Sequence, residues 1–191
     1  AGRFYIEKQN EGLSSTGRQG KTTGVPQKEL IETAIRSMGL GDVAPFDPEE
    51  KIIEYMVAEK DVNLSGMTCR DFADVLSTDS PAPGGGSAAA LMGALGASLD
   101  AMVANLTVKN RKCRSDWDLM RRIAPEAQSV KDNLLNAIDD DTSAFNAWMD
   151  AARHGGDVQT TVKMAIEVPL RVLGQCPDII KMASSLEEKG M

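Results

Sequence analysis

Histidine is almost absent from this 191-residue chain, with His154 the single example, and the aromatic side chains amount to 4%. One histidine cannot build a multi-imidazole zinc site, and the three cysteines, Cys69, Cys113 and Cys176, are too widely spaced to complete one. An odd cysteine count without a pairing pattern also argues against a disulfide framework, and it fits reduced thiols in a cytoplasmic protein. A surplus of positive charge is missing too. The net charge is −7, which leaves no global footprint for nucleic acid. No secretory leader is visible. Scarce aromatics beside plentiful Ala, Met and Leu suit packed helices better than sheets.

The stretch around which the chain is organised runs from Ser80 to Thr107, SPAPGGGSAAALMGALGASLDAMVANLT. Pro81 and Pro83 forbid a helix just before them. Gly84, Gly85 and Gly86 permit a sharp turn with exposed amides, and Ser87 is the expected N-cap. A glycine loop opening a helix suits an anionic or electron-rich ligand group, although the same residues also fit a plain turn into a core helix. The lysine of a nucleotide P-loop is lacking, and no β-run precedes the glycines. In the helix, Gly93, Gly96 or Ala97, Asp100 or Ala101, and Ala104 recur at three or four residues and form a flat face, with Leu91, Leu95, Leu99, Met102 and Leu106 opposite. Asp100 interrupts the apolar run after twelve residues, which argues against a membrane span. The expectation is a helix at the centre of a bundle, with flat faces that let copies dimerise or assemble further.

Before this stretch, Asn10 to Gly24 reads as a surface loop, and Leu30, Ile31, Ala34, Ile35 and Met38 make a helical stripe ending at Gly39. Gly41 to Pro48 is the expected boundary. Asp47-Pro48-Glu49-Glu50 opens a helix with Ile52, Ile53, Met56 and Val57 buried, and Thr68 to Asp71 caps a short one carrying Phe72, Val75 and Leu76. After it, Lys109-Asn110-Arg111-Lys112-Cys113-Arg114 places four cations in six residues. That run is either a solvated helix end or a landing site for an acidic tail. Ser115 and Asp118 then cap a helix that Pro125 breaks or kinks, and Cys176-Pro177 is expected to end the last long helix, with another beginning at Asp178.

From Val130 the apolar positions run Leu134, Ile138, Phe145, Trp148 and Ala152 in steps of three and four. The step missing between Ile138 and Phe145 is filled by Asp141. The spacing puts Asp141 on the core-facing seam, Asp140 outward and Asp139 to the side. A carboxylate on a seam is costly unless hydrogen-bonded. Asp141 is therefore either a proton shuttle or a structural tie between helices. His154, beside Gly155 and Gly156, reads as a helix end.

The segments SPAPGGGSAAA, GALGASL and AMVANLT closely resemble the cyclodeaminase/cyclohydrolase family of folate enzymes, in particular its bifunctional formimidoyltransferase-cyclodeaminases. RFYIEKQ and ELIETAIRSMGL resemble the end of the transferase domain. Asp100 stands where that family usually has glycine. The resemblance implies an all-α helical bundle over residues 49–191, short of its C-terminal helices, after a 41–48 linker and a remnant of an α/β transferase domain over 1–40. It implies folate one-carbon chemistry in histidine degradation: cyclodeamination of 5-formimidoyltetrahydrofolate to 5,10-methenyltetrahydrofolate with release of ammonia. IDDDTSAF resembles the family's D-x-D-x-x-A-F, which maps the catalytic carboxylate onto Asp141. Pro83, Gly84, Gly85, Gly86 and Ser87 would then hold the folate, and Lys109, Arg111 and Lys112 its polyglutamate tail. No metal and no cofactor beyond tetrahydrofolate is implied. A methenyltetrahydrofolate cyclohydrolase and a non-catalytic oligomerisation module are the competing readings.

Overall fold

The computed structural model describes residues 24, 31, 33–36, 38–43, 45–53 and 63–190. Arg3 to Gln9, the loop before Gly24, and Leu30, Met56 and Val57 lie outside the described residues. Every regular element among those described is helical. Residues 31 and 33–36 are helical, with Ala34 buried, and Gly39 follows at φ +65, a left-handed value that suits glycine. Two short helices come next, α1 (Leu40–Val43) and α2 (Pro48–Lys51). The 41–48 stretch is thus partly helical. Ile53, expected in the core, is 72% exposed.

A 3-10 turn at Leu64–Gly66 leads into α3 (Cys69–Leu76), where Thr68 Oγ1 accepts the Asp71 amide as the capping pattern predicts, and Phe72 is buried. The body of the fold is three long helices: α4 (Gly85–Lys109), α5 (Trp117–His154) and α6 (Val158–Lys189), with a 3-10 segment Arg111–Asp116 between the first two. Ser115 and Asp118 do not cap α5. Its N-cap is Asp116, without a side-chain bond, because the preceding 3-10 turns already carry the chain into the helix. Gly155, at φ +78, ends α5, and Asp157 caps α6 by accepting the Thr160 amide.

Pro125, Pro169 and Pro177 all lie inside helices. The break expected at Cys176-Pro177 does not occur. Each proline costs about 3 kcal/mol locally, and packing on both sides of the site outweighs it: Val172, Met182 and Leu186 of α6 are buried in the common core.

Helix α4 buries a seam of small residues, Ser87, Ala90, Ala94, Ala97, Ala101, Ala104 and Val108, in alternating steps of three and four. Their size lets α5 and α6 come close. A β-carbon on Gly93 would meet Leu134 Cδ1 at 3.0 Å, and one on Gly96 would meet Ile179 Cγ2 at 3.4 Å. The flat face therefore packs against the chain's own α5 and α6, with Gly93 and Gly96 half-buried. The bulky face stays outside: Leu95 and Leu99 are 57% and 58% exposed, and Met92, Met102 and Leu106 also face outward. By length and composition α4 could cross a membrane, but α5 and α6 pack along its seam of small residues.

Candidate active site

The glycine loop and Asp141 come together at one end of the bundle. Pro83 is buried, and the Ala82–Pro83 peptide is cis. Helix α4 begins earlier than expected. Gly84 is its N-cap, in an extended conformation, and Ser87 lies in the first turn rather than capping it. The first intrahelical bond runs from Ala88 N to Gly84 O at 3.1 Å, so the amides of Gly85, Gly86 and Ser87 belong to the unbonded first turn.

Freed from the capping role, the Ser87 side chain reaches across to α5. Its Oγ lies 3.0 Å from Asp141 Oδ2, 3.0 Å from Ile138 O and 3.2 Å from Thr142 Oγ1. Gly86 sits directly under the carboxylate: a β-carbon there would fall 2.5 Å from both Asp141 Cγ and Oδ2. The carboxylate thus lies beside the positive end of the α4 dipole, half-buried rather than fully enclosed. A serine hydroxyl carries one proton and two lone pairs. It can donate to an ionised Asp141, or accept from a protonated Asp141 while donating to Ile138 O. Either protonation state of the carboxyl therefore finds a partner.

The neighbouring aspartates point elsewhere, as the spacing predicts. Asp140 is exposed and pairs with Arg171 of α6. Asp139, to the side, accepts from Leu64 N at 2.7 Å and Ser65 Oγ at 2.5 Å, tying the 3-10 turn to α5. The sequence gives no sign of that tie, nor of Thr142. One turn beyond Asp141, Phe145 packs on Trp148 with ring centroids 5.5 Å apart, both half-buried. These rings, read above as seam residues, form a partly exposed aromatic ledge on the helix face that carries Asp141. Farther on, Ala151 rather than Ala152 is buried.

Lys109, Arg111 and Lys112 are exposed at the other end of α4. A 25-residue helix is about 37 Å long, so within one chain they do not meet the glycine loop. Arg114 and Arg121 flank the Trp117 ring, at 5.8 and 5.5 Å from its centroid. His154 is exposed and bonds Asp150, in keeping with a helix end.

Residues 68–191, which include the loop, α4 and Asp141, match the family described as Formiminotransferase-cyclodeaminase. The chain belongs to that family. Residues 1–58 match the Formiminotransferase domain, a match that runs through the 41–48 stretch. The chain is 35% identical to the formimidoyltransferase-cyclodeaminase of Dictyostelium discoideum, over 91% of its own length and 32% of that protein's. It is 31% identical to the protein of the same name from Mus musculus, over 90% of its length and again 32% of the relative's. The chain thus spans about a third of these curated relatives. A methenyltetrahydrofolate cyclohydrolase of Methylorubrum extorquens is 34% identical over 64% of each chain. Formiminotransferase-cyclodeaminase family membership accounts for both ends of the chain, since each matches one of the family's two named parts.

Proposed function

We propose that the helical part of this chain catalyses cyclodeamination of 5-formimidoyltetrahydrofolate, with Asp141 as the group that moves the proton. The observation that carries this reading is the Asp141 carboxylate lodged over Gly86 and hydrogen-bonded to Ser87, at the mouth of the glycine loop. The reaction joins N10 of the folate to the formimidoyl carbon and breaks the bond from that carbon to the terminal nitrogen. The formimidoyl group enters as its protonated amidinium; N10 loses a proton and the departing NH2 gains one, so that ammonia leaves and the cationic methenyl bridge remains. One carboxylate can take the first proton and deliver it as the second. The carbon keeps its oxidation level, so the chemistry requires no redox partner. Ser87 serves both states of Asp141 during the relay.

The first-turn amides of Gly85 and Gly86 supply donors for an electron-rich pterin or carbonyl oxygen, with Pro83 and Gly84 shaping the approach. The Phe145–Trp148 ledge offers a stacking surface for a flat ring. Lys109, Arg111 and Lys112 are too far away to serve the same folate's head group, and their proposed role is the polyglutamate tail, reached lengthwise or in a neighbouring copy. The three free cysteines, Cys69, Cys113 and Cys176, suit a reducing cytoplasm.

The similarity to a methenyltetrahydrofolate cyclohydrolase favours a second reading, in which water opens the methenyl bridge. Incubating the chain with each folate separates the two. Cyclodeamination releases ammonia from the formimidoyl compound; a cyclohydrolase consumes the methenyl compound and releases none.

A further inference from the structure

Gly24 is the first described residue of the chain, and it is buried against helices that lie far along the sequence. Its carbonyl oxygen accepts from two side-chain amides on different helices, Asn105 Nδ2 of α4 at 2.8 Å and Gln128 Nε2 of α5 at 3.2 Å. Two donors fill both lone pairs of one carbonyl. Among the described residues these are the hydrogen bonds that the two side chains make, since Asn105 Oδ1 and Gln128 Oε1 are buried without a partner. Amides placed for stability alone would satisfy both of their ends. These two instead converge on a single main-chain oxygen.

The contact is also shaped for glycine. A β-carbon on Gly24 would stand 2.3 Å from Ala124 Cβ, 2.4 Å from Ala124 C and 2.7 Å from Pro125 N. Two of those atoms are α5 backbone, so no side-chain rotation makes room. Close approach is the reason for glycine here, because the positive φ values among the described glycines belong to Gly39 and Gly155. The two sides of the contact fall in the family's two parts. Gly24 lies within residues 1–58, which match the Formiminotransferase domain, and Asn105, Ala124, Pro125 and Gln128 lie within 68–191. We infer that Asn105, Gln128 and the Ala124–Pro125 backbone form a clasp by which the helical part holds the transferase-matching part. The clasp recognises a bare main-chain carbonyl and admits nothing larger than glycine beside it. It is remote from the proposed chemistry: Asn105 lies eighteen residues beyond Ser87 on α4, about 27 Å along the helix. It therefore does not depend on which folate reaction the bundle performs.

Nitrogen-15 relaxation of the residue-24 amide in the 191-residue chain reads the clasp directly. In wild type an order parameter of about 0.85 is expected, the value of rigid backbone. Gly24→Ala removes the space, and Asn105→Asp combined with Gln128→Glu removes the donors at nearly constant shape. Each should lower the order parameter below about 0.6. Gly24→Ala should also move the Asn105 and Gln128 side-chain NH2 signals toward those of solvated amides. Gly174→Ala, whose added methyl meets nothing within 4 Å, should leave all of these unchanged. Methyl signals of Leu134 and Ile138, both fully buried in α5, report whether the bundle stays intact in each variant. Asn105→Ala combined with Gln128→Ala replaces the acidic pair if that pair disturbs the core. A wild-type value already below about 0.6 overturns the inference, and so does one that fails to fall in Gly24→Ala or in the donor-less pair.

Discussion

Gly86 and Asp141 occupy adjoining space: a β-carbon on the glycine would stand 2.5 Å from the carboxyl carbon of the aspartate. Helix α4 can start where it does, and the carboxylate can lie across its first turn, only because that side chain is missing. Gly86→Ala should swing Asp141 off Ser87 and lower turnover by roughly tenfold or more, as expected when a proton-transfer group is misplaced. Overpacking at about 1–3 kcal/mol is partly offset by the better helix propensity of alanine. Gly174→Ala is the control, since nothing lies within 4 Å of its added methyl; it should stabilise by up to about 1 kcal/mol. Thermal melts and steady-state rates on both variants check this pair of outcomes.

Ser87→Ala removes the hydroxyl that serves both states of Asp141. A hydrogen bond to a charged group contributes about 1.5–3 kcal/mol, so kcat should fall about 10- to 100-fold, with KM little changed. A KM effect without a kcat effect would assign Ser87 to substrate binding alone.

Asp100 sets a pH dependence of stability. Burial pushes its carboxyl up from the ordinary value of 3.8 to about 6. The folded chain therefore holds this proton more tightly than the unfolded chain does. The contribution is fully present below about pH 4 and lost as pH rises through about 6. The full shift corresponds to about 3 kcal/mol, and local relaxation and water penetration around the carboxyl reduce it to about 1–2 kcal/mol. Asp100→Asn should accordingly be more stable than wild type by about 1–2 kcal/mol near pH 7.5 and nearly equal to it near pH 4. Urea unfolding at both pH values tests this; a gap that does not change with pH contradicts it.

The exposed cations should matter for a charged tail and not for the chemistry. Arg111→Ser combined with Lys112→Ser should raise KM for polyglutamylated substrate and flatten its salt dependence, leaving kcat nearly unchanged. An equal rise in KM for the monoglutamate would reduce the run to a solvated helix end.

Asp141 was legible in the sequence because it fills the one missing step of an apolar seam, and the different directions of Asp139 and Asp140 followed from the same spacing. The tie from Asp139 to Leu64 was not legible, since 75 residues separate the partners and no local period spans that distance. Ser87 reads as a cap by residue type, yet the helix starts at Gly85, and tertiary contacts with α5 claim the hydroxyl. The two faces of α4 were both visible as stripes. That the flat one takes the close contacts was legible too; that its partners are the chain's own α5 and α6 was not, because that pairing is tertiary. Pro177 illustrates the same limit: its local cost is plain from residue type, while the packing that overrides it is tertiary.

The central claim is that Asp141 moves the proton. The direct measurement is ammonia release from 5-formimidoyltetrahydrofolate by the 191-residue chain and its Asp141→Asn variant, under single-turnover conditions, with melts confirming equal folding. The amide keeps the shape and can still bond Ser87, but it cannot exchange a proton. The account predicts release by wild type and a loss of about 10²-fold or more in the variant. Release within a few-fold of wild type would contradict it and make Asp141 a structural tie between α4 and α5.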